Sequence, residues 1–319
     1  MDEIICSEFD QYGEAIRGVE GRYLAVGQRI FDWRLAVLDL GEVVIMDASD
    51  GATNVFDGIA ARDYYSIFIP QTPPAETSLN GRRFKDNEFA WLAPGRPVHF
   101  CSRSASRWIA CNFSAAGLVN RLLSYDSELD ATELMCVRFV RKDSHTLKRI
   151  ASIAKRAFAV DAQALCNPVV RDALGGQLLE AVATSLAAAQ TDVRAARGRP
   201  RADALGVLER VVGLVDQNPT TVWHVDDLCR VAQVSWRTLR TIFADHFGTS
   251  PQRFLMIRRL HAVRQALLCA DKGDTVTAIC ATHGVWDIGR FARRFEQLFG
   301  VLPSEVLRRR VSETGLGAG

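Results

Sequence analysis

The sequence predicts an α+β protein with a β-rich N-terminal domain and an all-α C-terminal domain. Residues 1 to about 140 contain short apolar runs between turn signals, whereas the last third has two pairs of apolar-periodic helices. Between these regions, residues 190–203 are polar, basic and interrupted by Gly and Pro, as in a linker. The 319 residues, 48% hydrophobic and 24% charged, have the length and composition of two globular domains.

The N-terminal region is predicted to form a small barrel or sandwich. Apolar runs at 33–38, 43–46 and 65–69 have the length of strands, and turn signals separate them. Two helical stretches follow, one over 144–160 and one with Asn167 as N-cap and Pro168 as its first residue. The second helix carries an apolar stripe that is either core or a dimer face, formed by Leu174, Leu178, Ala181, Val182 and Leu186.

Basic residues concentrate in the C-terminal region, although the net charge of the chain is only +2. Residues 201–310 contain 16 Arg and Lys against 11 Asp and Glu, so this region is positive and the remainder negative. A positive surface suits contact with phosphate groups. The alternative is an ordinary solvated basic surface, which the motifs described below make less favourable.

The sequence indicates a cytoplasmic protein without membrane contact. The N-terminus has no basic segment followed by a long apolar run, and no stretch approaches the roughly 20 apolar residues of a membrane helix. The eight cysteines are scattered without a Cys-x-x-Cys pair. We therefore expect reduced thiols rather than a disulfide framework or a zinc site.

Each C-terminal helix pair has the pattern of a helix-turn-helix unit. In the first, Ser235 is the expected N-cap of the second helix. Helical spacing places four apolar residues on its inner side, Leu239, Ile242, Phe243 and Phe247. The outer side near the helix start carries the residues predicted to contact DNA, Arg237, Arg240 and Thr241.

The second unit repeats this arrangement with Asp287 as the expected N-cap. Its inner face comprises Phe291, Phe295 and Leu298. The outward residues predicted to contact DNA are Gly289, Arg290 and Arg293, with Arg294 beside them. A helix over about 251–270 separates the two units and sets their spacing, so both second helices can enter the major groove on one face of DNA.

Residues 205–310 resemble the DNA-binding domain of the AraC/XylS family of transcription regulators. The resemblance rests on residues at the family's spacing, among them Leu228, Ala232, Ser235, Arg237, Leu239, Arg240, Phe243, Gly248, Pro251, Leu260, Ala278, Ile279, Gly284, Arg290, Phe291, Arg293, Phe295, Gly300 and Pro303. Val285 and Gly289 depart from the Phe and Ser that are common in the family. Both departures predict altered base reading by the second unit.

The resemblance implies a sequence-specific transcription activator. Its expected partners are double-stranded promoter DNA, RNA polymerase and a second copy of the chain. The implied architecture is a cupin-like β-barrel with flanking dimerisation helices, followed by two helix-turn-helix units. We therefore predict a ligand-sensing and dimerisation domain at 1–189, a linker at 190–203, an AraC-type DNA-binding domain at 204–310 and a flexible tail at 311–319.

A candidate ligand site lies in the stretch 97–117. Arg103 and Arg107 form an Arg-x-x-x-Arg pair, and an Asn-x-Ser-x-x-Gly pattern follows at Asn112, Ser114 and Gly117. Residues 109–114 alternate as in a strand with one apolar face, so the Asn and Ser side chains project from the other face. The alternative is a β-hairpin with a solvated arginine loop.

This combination resembles the cyclic di-GMP signature of PilZ domains, with a shorter gap between the two halves. The resemblance implies cyclic di-GMP as an effector rather than a cofactor. Arginines can stack on guanine, contact its O6/N7 edge and pair with phosphate. Trp108 is added to the predicted site by proximity. Within the AraC/XylS family, the pattern resembles cyclic di-GMP-responsive activators of exopolysaccharide genes, which implies that ligand binding promotes dimerisation.

Two alternatives stay open. The N-terminal half also loosely resembles regulators of amine catabolism, which would make a small catabolic metabolite the inducer. The third hypothesis is an enzyme with an appended DNA-binding domain. Only His99 and His145 precede residue 200, far apart in sequence, and no nucleophile–base pattern is evident. We therefore predict neither catalytic residues nor a metal site.

Overall fold

The computed structural model describes residues 2–6, 9–30, 32–72, 76–116, 118–125, 134–141, 144–187 and 203–316. The chain divides into two compact units, Met1–Tyr23 with Ile30–Arg197, and Leu24–Arg29 with Gly198–Gly319. The predicted α+β class is confirmed, because the first unit is rich in sheet and the second is helical. Residues 190–202 of the predicted linker lie outside the described residues.

The strands of the first unit form two sheets. The described strands are β1 (Asp2–Cys6), β2 (Val19–Ala25), β3 (Trp33–Asp39), β4 (Val43–Ser49), β5 (Asn54–Ala60), β6 (Tyr64–Pro70), β7 (Thr77–Leu79), β8 (Arg82–Arg83), β9 (Glu88–Leu92), β10 (Pro97–Ser102), β11 (Arg107–Ser114) and β12 (Arg138–Arg141). The larger sheet has the order β1-β3-β4-β11-β6-β9-β12 and the smaller one β2-β5-β10-β7-β8. The pairing is antiparallel.

The described strands form two sheets that do not close into one barrel, so the first unit has the form of a sandwich rather than of the single cupin-like barrel that the resemblance implied. An apolar cluster lies between them. It joins Phe56 and Phe100 of the smaller sheet to Ala90 and Leu92 of the larger one. Because strand side chains alternate, each of these strands supplies apolar groups to this cluster with every second residue.

The helices of the first unit are α1 (Phe9–Ala15), α2 (Leu118–Tyr125), α3 (Ser144–Phe158), α4 (Ala162–Leu165) and α5 (Pro168–Ala187). Of these, α2, α3 and α5 contribute to the main core, on the other face of the larger sheet. The predicted start of α5 is confirmed, and Asn167 Oδ1 accepts a hydrogen bond of 3.0 Å from the Val169 amide. The apolar stripe of α5 packs in this core, with Leu178 and Val182 fully buried beside Ile109 and Phe113. The stripe is therefore core rather than a free dimer face.

The second unit contains α6 (Ala204–Gln217), α7 (Val225–Ala232), α8 (Trp236–Phe247), α9 (Pro251–Leu268), α10 (Val276–Thr282), α11 (Ile288–Phe299) and α12 (Pro303–Leu316). Helix α12 continues to Leu316, into the segment 311–319 that was predicted as a flexible tail. Among the described helices, none has the length and apolar character needed to cross a bilayer. No disulfide joins the cysteines that the structure describes.

Candidate nucleic-acid interface and effector site

The first helix-turn-helix unit is formed by α7 and α8. Gln233 ends α7 in the left-handed conformation, with φ of 55°, and this turns the chain toward α8. The Ser235 hydroxyl accepts a hydrogen bond of 3.2 Å from the Thr238 amide, so the predicted N-cap is confirmed. The four predicted inner residues are all buried, Leu239, Ile242, Phe243 and Phe247.

The outer face of α8 carries the residues predicted to contact DNA. Arg237, Arg240 and Thr241 are exposed. The Thr241 hydroxyl donates to the Arg237 carbonyl at 3.0 Å, which commits its proton to the helix backbone. The guanidinium carbon of Arg240 lies 5.3 Å from the ring centroid of Trp236, which is itself 48% exposed. This cation–π contact orients Arg240, and the prediction from sequence had missed Trp236.

The second helix-turn-helix unit, formed by α10 and α11, has the same construction. Asp287 Oδ1 accepts from the Arg290 amide at 3.0 Å, which confirms the predicted N-cap. The predicted inner residues are buried, Phe291, Phe295 and Leu298. The predicted outer residues are exposed, Gly289, Arg290 and Arg293, whereas Arg294 is half-buried. Of the two residues that depart from the family pattern, Gly289 is at the surface, whereas Val285 is buried in the core of this helix-turn-helix unit.

Helix α9 contributes to the core of both helix-turn-helix units and so holds them together. Phe254 stacks on Phe247 at 4.8 Å between ring centroids and meets Phe243 edge-on at 5.2 Å. Further along the helix, Leu260 and Val263 pack with Phe295 of α11. The 18 residues of α9 correspond to about 27 Å, which is comparable with the ~34 Å between successive major-groove segments on one face of DNA.

Strand β11 contains much of the predicted ligand signature, and both of its faces are covered. Ile109, Cys111 and Phe113 pack in the core beneath the helices, as their alternation predicts. The other face points into a cavity between the two sheets, where Trp108 and Asn112 are 5% and 1% exposed. Alternation identified the two faces of the strand, but Asn112 lies in a cavity rather than on the surface.

A buried carboxylate holds this end of β11 in place. Asp50 is fully buried and accepts hydrogen bonds from Tyr12 at 2.6 Å, Tyr23 at 2.8 Å, Ser106 at 2.5 Å and the Trp108 indole at 3.0 Å. Burial, together with the Asp50 charge, raises the pKa of Tyr12 and Tyr23 well above the usual value. The inclusion of Trp108 in the ligand site rested on proximity, and its buried, hydrogen-bonded ring does not support that assignment.

The two halves of the predicted signature are separated in the fold. Arg107 is exposed at the first residue of β11, and Arg103 is half-buried in the preceding loop, where its amide donates to the Glu76 carbonyl at 2.9 Å. Asn112 is five positions beyond Arg107, about 17 Å along a strand. Ser114 is half-buried at the end of β11, and Gly117 lies outside the described residues. The arginines and Asn112 therefore do not form one surface.

The cavity between the sheets is a second candidate ligand site. It has a volume of about 70 Å³ and an apolar lining that includes Met46, Phe56, Phe68, Leu92 and Phe100. Asn112 of β11 pairs in register with Ser66 of β6, and both side chains line the cavity. Both residues are buried, and within the described part of the chain neither Asn112 Nδ2 nor Ser66 Oγ has a hydrogen-bond partner. A bound molecule could supply those partners.

Comparisons with known proteins centre on the helical unit. Residues 228–309 match a family described as a helix-turn-helix domain. The chain is 35% identical over 103 residues to the XylDLEGF operon transcriptional activator 1 of Pseudomonas putida, covering 32% of this chain and 31% of the relative. It is 34% identical over 143 residues to a probable thc operon regulatory protein of Rhodococcus erythropolis, covering 44% of this chain and 42% of the relative. The chain thus spans less than half the length of these relatives.

Among solved structures, the AraC-like transcriptional activator CuxR aligns with 88% of this chain and 99% of its own length. The sequence identity is 14% and the TM-score is 0.44.

Proposed function

We propose that the chain is a transcription regulator of the AraC/XylS type and that it activates transcription by binding promoter DNA through α8 and α11. One observation carries the proposal. The outer faces of α8 and α11 carry exposed arginines, Arg237, Arg240, Arg290 and Arg293. The inner faces of both helices are buried in the core of the helical unit. Such helices can read base edges and bind phosphate from successive major-groove segments.

DNA binding is tested with the full chain and a duplex library of random sequence. Repeated selection should enrich a duplex with two contact segments about one helical turn apart. Arg240→Ala and Arg293→Ala should weaken binding to that duplex. Arg156→Ala removes an exposed arginine of α3 in the other unit and is the matched control. Failure of the wild-type chain to bind or enrich any duplex would refute the proposal.

The relatives also favour a regulator over an enzyme. The two relatives described above are named as regulators of operons, and we propose the same class of function for this chain. Promoter DNA is its proposed partner. We also propose a cytoplasmic location, because that DNA lies there. Contact with RNA polymerase is likewise proposed, as activation requires communication with the transcription machinery.

The proposed effector is cyclic di-GMP, bound around Arg103 and Arg107. These arginines lie in and after one loop, and the backbone of that loop is fixed by hydrogen bonds. The Arg103 amide donates to the Glu76 carbonyl at 2.9 Å, and Thr53 Oγ1 donates to the Arg103 carbonyl at 3.2 Å. An ordered loop with two guanidinium groups suits a ligand with two phosphates and two guanines. The hydrogen-bonded backbone of the loop supports this proposal, and the contribution of Asn112 and Ser114 stays a prediction.

Dimerisation links this effector to DNA in the proposal. A ligand that binds a dimer more tightly than a monomer must strengthen the dimer, and a dimer engages two DNA sites with greater avidity. The genes controlled are proposed to include those for exopolysaccharide production. Equal sedimentation of the protein with and without cyclic di-GMP would refute the dimerisation step.

A small apolar metabolite is the second candidate effector, and the cavity between the sheets favours it. A buried polar group without a partner costs about 1–3 kcal/mol, so a ligand that accepts a hydrogen bond from Asn112 Nδ2 would recover that cost. The cavity has a volume of only about 70 Å³. It is therefore suited to a compact molecule and too small for cyclic di-GMP.

Calorimetric titration distinguishes the two effectors. Cyclic di-GMP should bind the wild-type chain, and Arg103→Ala should abolish binding, whereas Arg62→Ala, at another exposed arginine, should not. Compact aromatic or aliphatic carbonyl compounds should instead raise the melting temperature of the wild-type chain, and Asn112→Leu should remove that effect. Absence of cyclic di-GMP binding would leave the cavity as the candidate effector site and the DNA-binding proposal intact.

A further inference from the structure

Trp286 is the most exposed of the described large hydrophobic residues, with a relative accessibility of 82%. It immediately precedes Asp287, the N-cap of α11. A large indole ring exposed at such a point marks an interaction surface, because isolated proteins gain free energy by covering apolar rings of this size.

The exposure of Trp286 is built into the turn. On one side, Val285 is buried in the core of the second unit, and its amide donates to the Cys280 carbonyl at 2.9 Å. On the other side, the Asp287 carboxylate caps α11 through the Arg290 amide. The backbone of Trp286 is thus held between a core residue and a cap, and the ring is presented outward by a fixed turn.

The surroundings of Trp286 favour nucleic acid as its partner. Arg290 and Arg293 are exposed on the adjoining outer face of α11. Gly289 leaves that face open, since an added Cβ there would meet only Asp287 Oδ1, at 3.9 Å. An apolar ring beside two guanidinium groups is complementary to a sugar–phosphate backbone, which offers an apolar sugar and a negative phosphate.

We propose that the Trp286 indole packs against a deoxyribose at the edge of the groove entered by α11 and donates its Nε1–H to a phosphate oxygen. This inference rests on the proposed DNA-binding function. The contact is assigned to the backbone because Trp286 precedes the helix, whereas Gly289, Arg290 and Arg293 lie on the helix itself. Indole has a single donor and cannot pair bidentately with a base edge. Trp286 thereby positions α11 without reading sequence.

The test compares two duplexes of equal length, one selected from the random library by the wild-type chain and one with the same bases scrambled. Trp286→Phe keeps an aromatic ring but loses the donor, so affinity should fall roughly 3–10-fold, the range of one net hydrogen bond. Trp286→Ala also loses the ring and should cost roughly tenfold or more. Both losses should be the same for the two duplexes, and the salt dependence should not change, because indole is neutral.

The controls separate this inference from the function on which it rests. Val169→Ala trims another exposed apolar residue, 73% accessible and in the other unit, and should leave affinity unchanged. Acrylamide should quench the fluorescence of one exposed tryptophan in the free wild-type chain, and bound DNA should protect that tryptophan from quenching. This protected component should be missing in Trp286→Phe. Failure of the wild-type chain to bind DNA would refute the proposed function itself.

Two outcomes would overturn the inference while wild-type binding persists. The first is unchanged affinity of Trp286→Ala for both duplexes; if activation is lost at the same time, the ring would be assigned to a protein partner. The second is a loss confined to the selected duplex, which would assign the ring to a base instead.

Discussion

Gly284→Ala should lower the free energy of unfolding of the helical unit through two separable effects. Gly284 sits in the turn of the second helix-turn-helix unit with φ of 67°, a conformation that costs an L-residue about 1–2 kcal/mol. An added Cβ would also lie 2.2 Å from Val222 Cγ2, well inside the 3.5–4.0 Å of ordinary carbon–carbon contact. Relieving such an overlap inside a packed core costs roughly 1–3 kcal/mol, and this sets the upper limit here because Val222 is 39% exposed and can shift. The expected total therefore exceeds the backbone cost and is at most about 5 kcal/mol.

The structure supplies a matched control for each effect. Gly300, which ends α11, has φ of 74°, but an added Cβ would have no neighbour within 4 Å. Gly300→Ala should therefore show the backbone cost alone, about 1–2 kcal/mol. In the double variant Val222→Ala/Gly284→Ala, the overlap is removed, and the loss relative to Val222→Ala should fall to the value for Gly300→Ala.

The free energy of unfolding is measured by urea denaturation of the full chain, followed by far-UV circular dichroism through the transition of the helical unit. Equal losses for Gly284→Ala and Gly300→Ala would show that the Val222 contact contributes nothing. A Gly284→Ala loss that persists unchanged in the Val222→Ala background would also contradict the steric argument. Either result would refute the reasoning about this turn.

Three further predictions concern other parts of the chain. The pKa of Tyr12 is raised above 10.0 in the folded protein, so the free energy of unfolding should be unaffected by this group below pH 10 and should fall as the pH rises above it. Tyr12→Phe should make the fall of the urea midpoint with pH shallower. An equally steep fall in this variant would contradict the assignment. Arg240→Ala should cost roughly 1–3 kcal/mol on the selected duplex if the lost contact is to a base, whereas an equal loss on the scrambled duplex in a binding titration would indicate phosphate alone. Ser66→Ala removes a buried hydroxyl without a partner, so the ligand-free chain should keep its melting temperature or gain slightly; a loss above about 1 kcal/mol would show that the hydroxyl is satisfied in solution.

The helical unit was predictable because its signals are local. Ser235 and Asp287 cap helices within three residues of themselves, and the apolar spacing of each helix sets which side is buried. The exposed positions of Arg237 and Arg290 follow directly from that spacing. Exposure of Trp286 did not follow from it, because the residue lies in a turn, where periodicity gives no information about which way a side chain points.

The sheet unit depended on contacts that sequence spacing does not contain. Alternation along β11 separated Asn112 from Phe113, but only the packed sheets showed that both faces are covered, one by helices and one by a cavity. The Asp50 carboxylate gathers Tyr12 and Trp108, which are 38 and 58 positions away along the chain. The sequence by itself determined the helices, their caps and their outward arginines, because these depend on neighbours a few residues apart. Tertiary structure decided where the signature residues of β11 point, because burial in a sheet is set by strands and helices distant in sequence.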